Sequence, residues 1–484
     1  MSLQSGKKTG NATASSRGRH FGAPLIIVAL MFSALLVTAA GATTLLDPRP
    51  EPATTQFGRA MAEIGDVNND GVPDLAVGAP FQDGDFLGTP GFGVPQNVGK
   101  VWVISGATLS VLFTLEDPKY QVEGASPQFG PQLGFSVSGI ADINGDGVPD
   151  VIAGAPHEVP GDFNADQGII NAGRAFAFSG RDGSVLLTLD DPSQQEGGLL
   201  GYAVAGLGDV NNDGVPDIAV GVPGKNIGDE EDGLIAVGLV YIFSGSDGSL
   251  IRTLNHPTQQ VNARFGSAID NAGDIDHDGV SDIVIGAPGH GQAFVFSGRT
   301  GALIFSVTSP AIERQPSFGA AVAGGKDLDG DGTPDFAVGA PLQKNSRGAV
   351  FLFNGSDGTL RRKLRFSSPQ TFARFGAAVR LSADLTGDGR PDVLVGVPDQ
   401  DVNGRINAGE VLIFSGASGR LFRTLTSAEP QDSAGFGSAV ITADFDGDGT
   451  PTPVVGTPYE TADLPTGPHG EIEHHIAIGQ IEIQ

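Results

Sequence analysis

Six short segments of this 484-residue chain place side-chain oxygens at alternate positions round a glycine, in the pattern D-x-[DNT]-x-D-G-x-x-D. The first holds Asp66, Asn68, Asp70 and Asp74. The second holds Asp142, Asn144, Asp146 and Asp150, and the third Asp209, Asn211, Asp213 and Asp217. The fourth and fifth are wholly acidic: Asp274, Asp276, Asp278, Asp282, then Asp327, Asp329, Asp331, Asp335. The sixth holds Asp384, Thr386, Asp388 and Asp392. Oxygen donors at this spacing wrap the chain round a hard cation. The carbonyls at position seven (Val72, Val148, Val215, Val280, Thr333 and Arg390) are expected to point inward as further ligands. Calcium takes about six to eight oxygens at about 2.3–2.6 Å, and magnesium demands a stricter octahedron. Four packed carboxylates without a cation would repel one another. An EF-hand is excluded, because position twelve is Val77 in the first loop and Ala153 in the second, where that motif needs Glu. A seventh loop keeps Asp444, Asp446 and Asp448 but has Thr452 at the closing position. The expectation is therefore six calcium sites, with a weaker seventh.

These loops sit in a repeat. An aromatic or Leu followed by Gly opens each copy, at Phe57, Leu133, Leu200, Phe265, Phe318, Phe375 and Phe436, and a Gly-x-Pro follows the acidic loop. A period of 53 to 76 residues running through the chain decides the architecture before any single residue does. The fourth copy reads as four strands: FGSAIDNAG, IVIGAP, GQAFVFSG and ALIFSV, called A to D. The loop joins A to B. Nothing in the unit has helical apolar spacing. Such sheets bury both faces only when stacked, so the expected fold is an all-β, seven-bladed β-propeller of four-stranded antiparallel blades. The last copy ends at its third strand, and Thr43–Pro48 looks like a spare fourth. The ring is expected to close by that N-terminal strand completing blade seven.

The formal net charge is −28, and 23 of the 56 acidic residues lie in the seven loops. Such a surface repels phosphate backbones, which argues against a nucleic-acid partner. With no cysteine, disulfides and thiol chemistry are excluded, and bound metal is one remaining way to order an exported chain. Residues 1–42 carry a basic flank, the apolar run Leu25–Ala40 and a small-residue site at Ala40-Gly41-Ala42. That spells a signal peptide cleaved after Ala42. An uncleaved anchor is the alternative, and would be the chain's only membrane attachment. Residues 43–484 form the propeller, and the expected location is extracytoplasmic: secreted, periplasmic or cell-surface.

The FG opening, the acidic loop and the GAP ending together resemble the FG-GAP repeat, which builds the propeller at the head of integrin α chains and related bacterial proteins. The resemblance covers residues 43–484 and extends to the propeller only. It implies structural calcium in the loops between strands A and B, and partner binding at the opposite face. Only the calcium ligands carry over residue by residue.

The loops between strands B and C differ in length. They are long at 81–98, 157–172, 224–237, 399–408 and 459–478, and short at 289–290 and 342–347. They carry acids, among them Asp83, Glu158, Asp399, Asp401 and Glu460, and the aromatics Phe81, Phe86, Phe92, Phe163 and Tyr459. Long irregular loops on a rigid scaffold are a usual place for binding. The expectation is a raised acidic wall with a low gap over blades four and five. His469, His474 and His475 share the last loop, but adjacent residues of an extended segment face opposite ways. No G-x-S-x-G, P-loop or H-E-x-x-H occurs. The leading reading is a non-enzymatic binding or adhesion module that recognises a protein or glycan. The alternative is an extracellular glycan lyase or hydrolase.

Overall fold

Strand B of the first six repeats is a short apolar run with a Gly at or next to its end and nothing polar beyond the Asp that opens or precedes it. In the computed structural model these runs are buried from end to end: Leu75–Ala79, Asp150–Ala155, Ile218–Val222, Asp282–Ala287, Asp335–Gly339 and Asp392–Val397. The residues described are 36–39, 42–46, 55–83, 97–121, 130–159, 170–228, 235–310, 317–367, 369–447, 449–462, 465–466, 471–472, 476–477 and 480–483. The chain divides into two units, residues 1–32 and 33–484, and the first lies outside the described residues. So does the expected leader, apart from its strand residues 36–39 and 42. Among the described residues, no helix is long and apolar enough to cross a membrane.

Six repeats each fold into a four-stranded antiparallel meander. Blade four is typical, with Ala268–Gly273, Asp282–Ala287, Gln292–Phe296 and Leu303–Thr308 paired in chain order. The expectation of seven four-stranded blades is corrected here: among the described residues there are six four-stranded blades, not seven. Among the described residues, the seventh repeat supplies three strands to its sheet, Ala439–Ala443, Thr452–Thr457 and Gln480–Ile483. Its open edge takes Ala42–Leu46, with Thr43 opposite Ile483 and Leu46 opposite Gln480. Leu36–Ala39 then adds as a fifth strand. The result is a five-stranded sheet assembled from both ends of the chain, not a blade made from one repeat.

Apolar clusters lie between successive sheets. One joins blades one and two through Val101, Leu115, Leu133, Val151 and Phe178. Another joins the terminal sheet to blade one through Leu45, Phe57, Trp102 and Val454. The Phe or Leu that opens each repeat is at most 2 % exposed. The Gly after it has φ between +85° and +91°, a conformation that side chains resist. In all seven, hydrogen bonding starts there: the N–H of Gly266, for example, donates to the Gly286 carbonyl at 3.0 Å. Residues 459–478, expected as an irregular loop, contain two short antiparallel ladders, Thr461–Ala462 with Ile476–Ala477 and Pro465–Thr466 with Glu471–Ile472.

Candidate metal centre

Each acidic loop begins where strand A ends and closes at strand B, so its shape is set by hydrogen bonds that repeat from blade to blade. The closing Asp is fully buried in all six: Asp74, Asp150, Asp217, Asp282, Asp335 and Asp392. Its Oδ2 accepts the N–H of position two, from Val67, Ile143, Val210, Ile275, Leu328 and Leu385, at 2.7–2.9 Å. Its Oδ1 accepts the N–H of a turn glycine after strand C, from Gly106, Gly180, Gly245, Gly298, Gly355 and Gly416, at 2.9–3.1 Å.

The first Asp accepts the N–H of the position-six glycine: Gly71, Gly147, Gly214, Gly279, Gly332 or Gly389, at 2.7–3.0 Å. The position-five Asp accepts the N–H of position seven, from Val72, Val148, Val215, Val280, Thr333 and Arg390. The shape of each loop is thus set by hydrogen bonds from its own backbone.

Among the described residues, three loops bring three carboxylates together. The oxygens of Asp274, Asp276 and Asp282 lie within 4.8 Å of one another, as do those of Asp327, Asp329 and Asp335, and of Asp384, Asp388 and Asp392. Two ligands about 2.4 Å from one calcium ion can be no more than about 4.8 Å apart, so the span fits. In loops one and three the Asn amide intervenes: Nδ2 of Asn68 donates to Asp70 at 2.9 Å and that of Asn211 to Asp213 at 3.0 Å. Asp444 accepts the N–H groups of Gly447 and Gly449, while Asp448 lies outside the described residues.

Burial dominates the electrostatics of the closing carboxyls. It pushes Asp282 and Asp335 up to about 6, and Asp74, Asp150, Asp217 and Asp392 upward too, against the lowering effect of their N–H donors. A desolvated carboxylate with two donors on one side presents its remaining electron density to a cation on the other.

Several partners of the loops were not foreseen. Arg181 Nε lies 3.1 Å from Asp146 and Arg299 Nε 3.3 Å from Asp278, so two loops carry a tethered arginine. The hydrogen bond from Arg181 holds the Asp146 carboxyl below its usual range. Loops three and six carry serine hydroxyls instead, Ser246 on Asp213 at 3.0 Å and Ser415 on Asp388 at 2.7 Å. In loop five Arg361 stands 3.7 Å from Asp329. The turn glycine was legible: Ser-Gly or Asn-Gly recurs as Ser105-Gly106, Ser179-Gly180, Ser244-Gly245, Ser297-Gly298, Asn354-Gly355 and Ser415-Gly416.

The repeats match a known family. The FG-GAP repeat covers residues 62–104, 133–170, 200–237 and 265–304, and the FG-GAP-like repeat covers 327–395 and 384–451. The chain is an FG-GAP repeat protein. This FG-GAP repeat protein is also similar to integrin α chains. It is 32% identical to Xenopus laevis integrin alpha-5 over 253 residues, 47% of this chain and 22% of the relative. It is 30% identical to Caenorhabditis briggsae integrin alpha pat-2 over 324 residues, 63% of this chain and 24% of the relative. Gallus gallus integrin alpha-V is 32% identical over 245 residues. The match spans about a quarter of the length of these relatives.

At the other end of strand B the expected acidic wall is only partly in view. Asp85, Asp162, Asp166, Asp229, Glu230, Glu231, Asp232 and Asp463 lie outside the described residues, as do Phe86, Phe92, Phe163 and the three histidines. Two acids expected on the rim are buried instead. Glu158 is fully covered and bound by Lys119 at 2.9 Å, and Glu460 is 2 % exposed. Asp399 is held by Arg374 at 2.8 Å.

Proposed function

We propose that this FG-GAP repeat protein is a calcium-stabilised binding or adhesion module that works outside the cytoplasm. It recognises a protein or glycan through the end of the propeller that carries the B–C loops. The six loops bind calcium through Asp66, Asn68, Asp70 and Asp74 and their counterparts, with the position-seven carbonyls completing each shell.

One observation carries this reading: the division of labour along strand B. Asp282 opens the strand in the acidic loop and Ala287 closes it at the B–C turn. At about 3.3 Å per residue the two ends stand about 17 Å apart. One end repeats the same hydrogen bonds in six blades and is committed to the ion. The other carries loops unlike one another, so only it can encode specificity. The similarity to integrin α chains supports the same reading.

Binding to immobilised extracellular proteins and polysaccharides, in calcium and in chelator, tests it. The expected result is calcium-dependent binding that vanishes when 81–98 and 459–478 are shortened to the length of 342–347, with the fold retained. Binding unchanged by both deletions, or turnover of a polysaccharide, contradicts it.

A further inference from the structure

The outermost strand of blade six, Leu421–Leu425, stands bare where the same strand of other blades is covered. The third residue of that strand, just past a register shift, is Arg252 in blade three, Arg362 in blade five and Arg423 in blade six. Arg252 donates to the Gly298 and Arg299 carbonyls at 2.7 and 2.8 Å, and Arg362 to the Ala417 carbonyl at 3.3 Å. Those carbonyls lie in the turn that joins strands C and D of the next blade. Beside blade six the corresponding strands are Gln480–Ile483 and Ala42–Leu46, which come from opposite ends of the chain, so no turn joins them. Arg423 is accordingly exposed. Phe422 before it is 56 % exposed, whereas Ile251 and Arg361 at its place are half-buried.

We propose that Arg420, Phe422 and Arg423 form a binding surface for a uronate-containing polysaccharide, with carboxylates on the arginines and a sugar ring on Phe422. The surface lies on the outer strands, apart from the B–C loops, and goes beyond the binding-module reading.

Charge is the first argument. In a chain of net charge −28, residues 344–423 hold twelve of the 28 basic residues and seven of the 56 acidic ones. No acid occurs from 358 to 383 or from 411 to 428. The two stretches meet: Arg361 donates to the Gly416 carbonyl at 3.2 Å, and a Cβ at Gly419 would lie 2.0 Å from Cδ of Arg362. Arg420 follows that glycine, so the basic surface runs from one blade to the next. Arg361 and Arg374 are already paired, with Asp329 and Asp399. Arg420 and Arg423 are exposed, and among the described residues neither has an ion-pair partner. The acidic remainder of the chain repels a polyanion and leaves this patch to receive it.

The shape of the surface is the second argument. It is a strand and not a pocket, so nothing encloses a small anion. An extended polymer meets the arginines in turn, and each weak contact raises the effective concentration for the next. An arginine fork matches a carboxylate with two parallel hydrogen bonds. Leu421, 42 % exposed, and Phe422 place an apolar face between the two cations, which a sugar ring can cover.

The third argument separates this ligand from other polyanions. A flat membrane would also press on Asp388, which Ser415 holds at 2.7 Å beside the turn before Arg420. A nucleic-acid duplex carries a charge about every 1.7 Å, and the acidic remainder opposes it more strongly than a polymer with a carboxylate on alternate sugars.

The test titrates the full chain, in calcium, with a fluorescein-labelled hyaluronan octasaccharide and its methyl ester. Phosphatidylserine vesicles and a labelled DNA duplex are the comparison polyanions. The expected result is saturable binding of the acid oligosaccharide that weakens as salt is raised, with the ester at least about tenfold weaker. Arg420→Ser with Arg423→Ser weakens it by a similar factor, and Phe422→Ser by about threefold. Arg264→Ser, which removes an exposed arginine elsewhere, leaves it unchanged, as does shortening of 81–98 and 459–478. No saturable binding, equal affinity for the ester, or an unaffected double arginine variant overturns the proposal. So does an equal loss in Arg264→Ser, loss on shortening the loops, or tighter binding of the vesicles or the duplex. Failure here leaves the binding-module reading standing, because that reading is tested at the B–C loops.

Discussion

Gly456, in the sheet built from both chain ends, packs against Gly58 at the start of blade one. A Cβ at Gly456 would stand 2.0 Å from the Gly58 carbonyl oxygen. The same contact recurs round the molecule, from Gly78 to Gly134 at 2.1 Å and from Gly286 to Gly319 at 1.9 Å. The terminal sheet is therefore docked on blade one by the contact that docks each blade on the next. Gly456→Ala should cost about 1–3 kcal/mol, the usual range for overpacking, and as much as Gly286→Ala within one blade pair. Thermal unfolding of both variants checks this. A neutral Gly456→Ala beside a damaging Gly286→Ala would mean that the terminal sheet is not docked in this way.

Gly298→Ala should injure the fold and the loop together. Its Cβ would lie 1.9 Å from the Ser281 carbonyl oxygen, and its N–H holds Asp282 at 3.0 Å. The variant is expected to melt lower by about 1–3 kcal/mol and to bind calcium less tightly. Melting in calcium and in chelator separates the two effects, because the loss should be larger in calcium.

Arg181→Ser and Arg299→Ser should tighten calcium binding. Each arginine competes for the position-five Asp of its loop, Asp146 or Asp278. Exposed pairs are weak, so the gain is expected to be about two- to fivefold at those loops. Isothermal titration of the double variant reads it, and weakened binding would show that the arginines support the site.

Glu410 supplies one pH dependence outside the acidic loops. Burial at the start of strand Glu410–Phe414 pushes its carboxyl from 4.5 up to about 7. The folded value is the higher one, so this contribution to stability is complete below about pH 4.5 and is lost as pH rises toward 7. Glu410→Gln should therefore match the wild type at pH 4 and exceed it at pH 8. The gain is about 1–2 kcal/mol once partial exposure is discounted. Equal unfolding midpoints at pH 8 would contradict the assignment.

The repeat was legible because its parts obey local rules. A β-branched strand must be covered, a positive φ favours Gly, and alternate oxygens round a central Gly fold as a loop that could hold a cation. These rules place the four strands of each complete repeat and all six loops. The pairing of the N-terminal strand with the last repeat was legible from the spare strand at Thr43–Pro48, but the local rules could not supply the fifth strand beyond it. Leu36–Ala39 lies in a stretch that reads as the end of an apolar leader, and nothing in its residue types says that it pairs with Ala42–Leu46. Glu158 reads as a rim acid because Lys119, which binds it, is 39 residues away. Arg181 and Arg299 escaped for the same reason, being brought to the loops by the return of strand C.

Calorimetric unfolding of the full chain, in calcium and in excess chelator, tests the central claim most directly. Ligand bound only to the native state stabilises it by about 2.7 kcal/mol per site at a hundredfold excess over Kd. The account predicts a melting temperature that climbs with calcium concentration, falls in chelator, and responds less when Asp282→Asn and Asp335→Asn remove two closing carboxylates. A melting temperature that is the same in calcium and in chelator would contradict it.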